Sequence, residues 1–304
     1  TVHPAMITVH AWELDKGLFE YLSTTLSECA KMASETSIRF DGQAHHTDFV
    51  EEASALLMDE NSLFPQVARR YTHCIMNPPY RKIQSNSEHR TWLRRAGIET
   101  TNLYTGFLAL AVRLLHPGGE LVAIVPRSFC NGVYFKVFRR FFLDAMNIRQ
   151  LHVFGARDQA FQDNDVLQEN IIIHATKGKQ QGKVIISSSQ NADMDDLTYR
   201  DADFSQVVRP GDLDRVINIT SNEIDHLVTE RIHRFSCSLP DLGLQVSTGA
   251  VVDFRSLDDI RDLPQENSHA LIYPAHFKNG FVEWPKPGGR KPNAIVESDA
   301  SRSA

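Results

Sequence analysis

The chain has 304 residues, 42% hydrophobic and 23% charged, with a net charge of −6. This supplies a core for one large or two modest domains, and the net charge excludes a nonspecific polyanion binder. No run approaches the roughly 18 apolar residues that cross a bilayer, and the N-terminus lacks the basic flank and apolar centre of a signal peptide, so a cytoplasmic protein without a membrane partner is expected.

In chain order, residues 7–12 read as a strand and residues 17–32 as an amphipathic helix with Leu18, Phe19, Leu22 and Leu26 on one side. Strands are expected over 37–46 and 71–76, then a helix over 105–115, stopped by His116-Pro117-Gly118-Gly119, which also makes a tight turn. Strands at 120–125, 149–154 and 170–175 follow, with a helix at 134–145. Residues 177–182 read as the turn of an antiparallel hairpin, its second strand at 184–187, edging a mostly parallel sheet. The alternation specifies an α/β fold with crossover helices. From Asp193 the apolar runs shorten, and Pro- and Gly-rich sequence begins at Tyr273. The first domain is therefore expected over 1–192 and a second over 193–304, with a loose tail from Arg290. Four widely spaced cysteines without CxxC, and histidines without metal-ligand spacing, predict buried thiols, no disulfide framework and no metal.

The strongest motif is Asn77-Pro78-Pro79-Tyr80, placed at the end of the strand over 71–76. The Asn77 side-chain oxygen and the Pro78 carbonyl can both accept from one planar amino group, and Tyr80 offers an aromatic face. Pro78 and Pro79 restrict φ and bias their predecessors toward extended backbone, so the loop is stiff before a substrate arrives. The plain alternative is a strand-end turn, which the same dipeptides punctuate in many proteins. Seven basic residues between Arg69 and Arg95 (Arg69, Arg70, Arg81, Lys82, Arg90, Arg94, Arg95) against Glu88 alone give +6 around the motif. This fits phosphate contact, with a solvated loop as the alternative.

Ligands of doubly wound sheets collect at the carboxyl ends of strands. Two further ends carry suitable groups: Glu13 and Asp15, of which one can hold a ribose diol and the other cap a helix, and Asp48-Phe49, a carboxylate for an amino group beside a ring.

This order resembles the S-adenosylmethionine-dependent DNA methyltransferases that modify the exocyclic amine of adenine, and among them the BsuBI/PstI-type restriction-modification methylases. The segments over 102–107, 114–129 and 160–173 carry the likeness, which covers about residues 6–177. The resemblance implies a Rossmann-like methyltransferase sheet, S-adenosylmethionine as cofactor, double-stranded DNA as partner and a cognate restriction endonuclease in the same system. It implies that Glu13 binds the cofactor ribose, Asp48 its adenine amine, and Phe49 and Phe107 its apolar surroundings. Asn77 and Pro78 would hold the target amine, with Tyr80 and Phe161 stacking on opposite faces of a flipped-out adenine. The bland alternatives are a helix cap for either acid and plain core positions for Phe107 and Phe161.

The family's glycine-rich loop and first strand, expected at the sheet centre between the strands ending at Trp12 and Met76, have no counterpart here. The expectation is a chain truncated at both ends, stopping inside a C-terminal DNA-recognition domain and binding cofactor weakly or not at all. Lys278, Lys286, Arg290 and Lys291 against Glu283 give that region +3, and Lys278 is a candidate DNA contact together with Arg81, Lys82, Arg94 and Arg95. Competing readings are a methylase of RNA or of protein amide nitrogen, which use the same tetrapeptide, and a noncatalytic DNA-binding or assembly fragment.

Overall fold

The structure, a computed structural model, describes residues 5–59, 70–155, 169–178, 180–190, 194–220, 223–232, 234–237, 239–246, 249, 251–252 and 256–298. The chain divides into two units, Thr1–Glu230 and Arg231–Ala304.

The first unit opens with β1 (Ala5–Trp12), α1 (Lys16–Ser34) and β2 (Ile38–His45). β1 and β2 run parallel as a two-stranded sheet. Asp15 caps α1 by accepting from the Leu18 N–H at 3.0 Å. Phe19, Leu22 and Leu26 are half-buried as the periodicity predicts, whereas Leu18 is exposed.

There follow α2 (Phe49–Asp59), β3 (Tyr71–Met76), α3 (Glu88–Arg95), α4 (Leu103–Leu114), β4 (Leu115–Pro126), α5 (Lys136–Ala145), β5 (Met146–Phe154) and β6 (Asn170–Lys177). β7 (Val184–Ser189), β8 (Thr198–Ala202), α6 (Phe204–Val207) and α7 (Glu223–Ile232) come next. Six strands form one sheet in the order β3-β4-β6-β5-β7-β8. α4 is the most enclosed helix, and each leucine it buries contributes about 1.5–3 kcal/mol. The His116-Pro117-Gly118-Gly119 stop is drawn into β4 rather than forming a separate turn. Gly118 takes φ +82°, and the β3–β4 register shifts between Tyr71 and His73.

The α/β expectation holds, with two corrections. β6 does not form a hairpin with β7; it lies between β4 and β5 and is antiparallel to both. The reason is in its side chains: Ile171, Ile173 and Ala175 are fully buried and Ile172 half-buried, the pattern of a strand covered on both faces. The antiparallel edge is instead the β7–β8 pair. The first unit also runs past the expected boundary at 192, because β8 extends the sheet and Val207, Val208, Ile217 and Ile219 join its core.

β1 and β3 share no ladder. Their contact is through rings: Tyr71 lies edge-on to Trp12 (6.1 Å, 84°) and to His10 (5.8 Å, 72°).

The second unit holds β9 (Ile260–Arg261), β10 (Ser268–Ala270), β11 (Phe277–Lys278), β12 (Phe281–Val282) and β13 (Ala294–Val296). β13 pairs with β10 and β9, and β11 with β12, all antiparallel. The tail expected to be loose from Arg290 is ordered through β13. Buried Asn293 accepts from Lys286 N–H at 2.6 Å and donates to the Asp262 carbonyl at 2.7 Å, and Ala294 and Ile295 are buried beside it.

The cysteines are all free, but against the expectation of four buried thiols only Cys130 is buried; Cys29 and Cys74 are half-buried, and Cys237 is exposed, with no apolar run near it to cover it. Among the described residues there is no helix long and apolar enough to cross a membrane, and no group of three or more metal-ligating side chains.

Candidate active site

The tetrapeptide leaves β3 directly. Pro78 is buried, Asn77 and Pro79 are exposed, and Tyr80 is half-buried. The Tyr80 hydroxyl stands 3.0 Å from Asn77 Oδ1 and 3.0 Å from the Ile124 carbonyl of β4. Burial pushes its pKa up to about 12, so it is a proton donor throughout the neutral range. Its ring meets Tyr104 of α4 edge-on at 6.2 Å, and Tyr104 is held in turn by Ser128 Oγ at 3.1 Å. Beyond the loop, Leu103 N–H donates to the Arg81 carbonyl (2.9 Å) and Ile83 N–H to the Thr101 carbonyl (2.8 Å), tying the loop to the start of α4.

The expected cofactor residues stand at the starts of α1 and α2 and on α4. Asp15 is the α1 cap, which leaves Glu13 outside that role; one Glu13 oxygen accepts from Asp15 N–H at 2.8 Å, and its own N–H donates to the His45 carbonyl. Asp48 caps α2 by accepting from Val50 N–H at 2.8 Å, a role that the sequence pattern offers only to Glu13 and Asp15. Its other oxygen lies 2.8 Å from His89 Nε2. A carboxylate offers about four acceptor sites, so capping does not exhaust Asp48. Phe49 and Phe107 touch at 5.0 Å, and Phe49 meets Trp12 edge-on at 5.3 Å. Both are half-buried against the core, which for Phe107 is the plain core position that the sequence leaves open.

These groups suit an adenosine-containing sulfonium cofactor: two carboxylates with acceptor capacity remaining, a pair of contacting rings, and a buried Trp12 Nε1 without a hydrogen-bond partner beside Phe49.

Of the basic candidates, Arg94 is engaged by Glu99 at 3.0 Å, and Arg90 ion-pairs with the same carboxylate while its Nη1 donates to the Thr100 carbonyl at 2.9 Å. Glu99 falls just beyond the stretch counted in the sequence, so the local excess is smaller than +6 implies. Arg81, Lys82 and Arg95 are exposed. Lys278 lies in the second unit and pairs with Glu283 at 3.4 Å. Phe161 lies outside the described residues. Sequence reasoning missed His89; no spacing rule joins residues 41 apart, and the histidine was hidden among arginines.

The sequence matches the family described as Eco57I restriction-modification methylase over residues 17–161. It is 43% identical over 291 residues to the type II methyltransferase M.BsuBI of Bacillus subtilis, covering 96% of this chain and 57% of that protein. Against the type II methyltransferase M.PstI of Providencia stuartii it is 38% identical over 298 residues, covering 98% of this chain and 58% of that protein. Among solved structures, a modification subunit of a putative type I restriction enzyme from Vibrio vulnificus YJ016 superposes with a TM-score of 0.46 at 9% identity, covering 69% of this chain and 46% of that one. The chain thus spans a little over half the length of the two curated relatives. Over nearly its whole length it is a homologue of the type II methyltransferases of restriction-modification systems.

Proposed function

We propose that the chain carries the catalytic core of a site-specific DNA methyltransferase, moving a methyl group from S-adenosylmethionine to the N6 amine of an adenine flipped out of duplex DNA. Its counterpart would be a cognate restriction endonuclease. The observation that carries this reading is Asn77, an exposed amide at the carboxyl end of β3 on a loop pinned by buried Pro78 and by Tyr80 against β4. The kinship with type II methyltransferases supports it.

When bound, S-adenosylmethionine supplies a methyl group on a sulfonium sulfur. Glu13 would hold its ribose, Asp48 its adenine amine, and Phe49 with Phe107 its apolar surroundings. Asn77 Oδ1 and the Pro78 carbonyl accept the two hydrogens of the target amine. Two acceptors draw the nitrogen toward tetrahedral geometry and free its lone pair from the ring, so positioning and electrostatics do the catalytic work. No covalent link to the protein is needed. Cys74, three residues before Asn77, is no nucleophile at neutral pH, since burial pushes its thiol up to about 12. The Tyr80 ring, with Phe161, would stack on the extruded base, while Arg81, Lys82, Arg94 and Arg95 take phosphates. The second unit, with Lys278, is the candidate target-recognition part.

The test is transfer of labelled methyl groups, at saturating cofactor, to unmethylated duplex DNA, to RNA and to protein. Label recovered as N6-methyladenine from DNA supports the reading. Label confined to RNA or protein, or no label in any acceptor, overturns it.

A further inference from the structure

Asp48 is held by two donors from two different elements. Val50 N–H, in the first turn of its own helix α2, takes Oδ1, and His89 Nε2, in the first turn of α3, takes Oδ2 at 2.8 Å. The pair is largely enclosed, with side-chain exposures of 15% for Asp48 and 22% for His89, so water screens it little. A carboxylate gripped at one oxygen can still turn about its Cβ–Cγ bond. Gripped at both, its plane is fixed, and its remaining lone pairs point in set directions.

The His89 ring is itself constrained. Trp92, one turn on, meets it edge-on at 5.4 Å and 79°. α3 is seated on α4 through Leu93, whose Cδ1 lies 2.9 Å from where a side chain on Gly106 would begin. Gly106 precedes Phe107, and α3 is the first helix after the Asn77–Tyr80 loop. His89 therefore joins the helix that follows the target loop to the carboxylate at the other candidate subsite.

We propose that His89 is a positioning residue: it orients the Asp48 carboxylate to receive the 6-amino group of the cofactor's adenine, and acts on cofactor binding only through that carboxylate. This rests on the reading that Asp48 takes that amine.

The experiment is calorimetric titration of the 304-residue chain and its H89A and H89Q variants with S-adenosylhomocysteine, and with the analogue whose base is purine, lacking the 6-amino group. Melting curves of each variant confirm folding. The expected result is that H89A weakens S-adenosylhomocysteine roughly tenfold, the size of one charge-assisted hydrogen bond, and leaves the analogue's affinity unchanged. H89Q, whose amide N–H can reach Asp48, restores most of the loss. Equal weakening of both ligands, or no weakening of either, overturns the positioning role while leaving the proposed function standing. Failure of the unsubstituted chain to bind S-adenosylhomocysteine at all overturns the cofactor role of Asp48 and the positioning role with it.

Discussion

The Tyr80 hydroxyl is equidistant, at 3.0 Å, from Asn77 Oδ1 and from the Ile124 carbonyl, and it has one hydrogen to give. The acceptor proposed for the target amine is therefore shared with a donor that has an alternative partner. When the amine arrives, the phenol can turn its hydrogen wholly to Ile124, and no buried donor is stranded. Y80F and Y80A separate hydroxyl from ring. Y80F should keep DNA affinity within a few-fold and cost about 1 kcal/mol of stability, while Y80A should weaken binding to DNA carrying an unpaired target adenine by about 1–3 kcal/mol through lost stacking. Fluorescence anisotropy and thermal melting read the two effects.

Asn77 is exposed, so replacing it should not disturb the fold. N77A removes one of the two acceptors proposed for the amine, and methyl transfer should fall by roughly 10²–10³, the cost of one preorganised electrostatic partner. The melting temperature should stay within a degree or two. A large drop in melting temperature would make the side chain structural instead.

Arg139 of α5 is a test of stability alone. Its guanidinium is buried and donates to the carbonyls of Phe129 (3.0 Å), Gly132 (2.6 Å) and Asp214 (2.9 Å). Burial lowers its pKa and Asp214 opposes that shift. R139A would leave those carbonyls without their donors and should cost about 3–5 kcal/mol by urea unfolding. R139K, with one point charge in place of a fork, should recover part of that.

Burial raises the pKa of Cys74, Cys130 and Tyr80 to about 12, and raises that of Tyr104. In the unfolded chain these groups ionise near 9 for cysteine and 10 for tyrosine, so between about pH 9 and 12 the native state binds more protons than the unfolded one. Their contribution is whole below pH 9 and is lost as pH rises through the native values. The denaturation midpoint should accordingly fall across that window. At pH 8 the same burial should leave Cys74 and Cys130 unmodified by iodoacetamide while exposed Cys237 reacts, as mass spectrometry of the labelled peptides would record.

What could be read in the sequence was what lies contiguous in it. The strand over 71–76 and its loop are found as expected, because apolar run and prolines mark start and stop within ten residues. The neighbourhood of Asp48 was legible only in part: the carboxylate was found, but its bond to His89 crosses 41 residues. The position of β6 was misjudged because strand order depends on what covers each face, although its isoleucine run carried a hint of double coverage. Asn293 explains the misread tail. A single polar side chain organises its segment by bonding to backbone distant in sequence, and composition cannot register that.

The join between β1 and β3, made by rings and not by a ladder, has a consequence for hydrogen exchange. Among the described residues, amides of β1 that do not face β2 have no strand partner, and α1 has no fully buried side chain. The β1–β2–α1 layer should then exchange its amides sooner than β4, β5 and β6, which are paired on both edges. Glu13, just past β1, then belongs to the layer expected to exchange first, and Asn77, just past β3, to the border of the slower one.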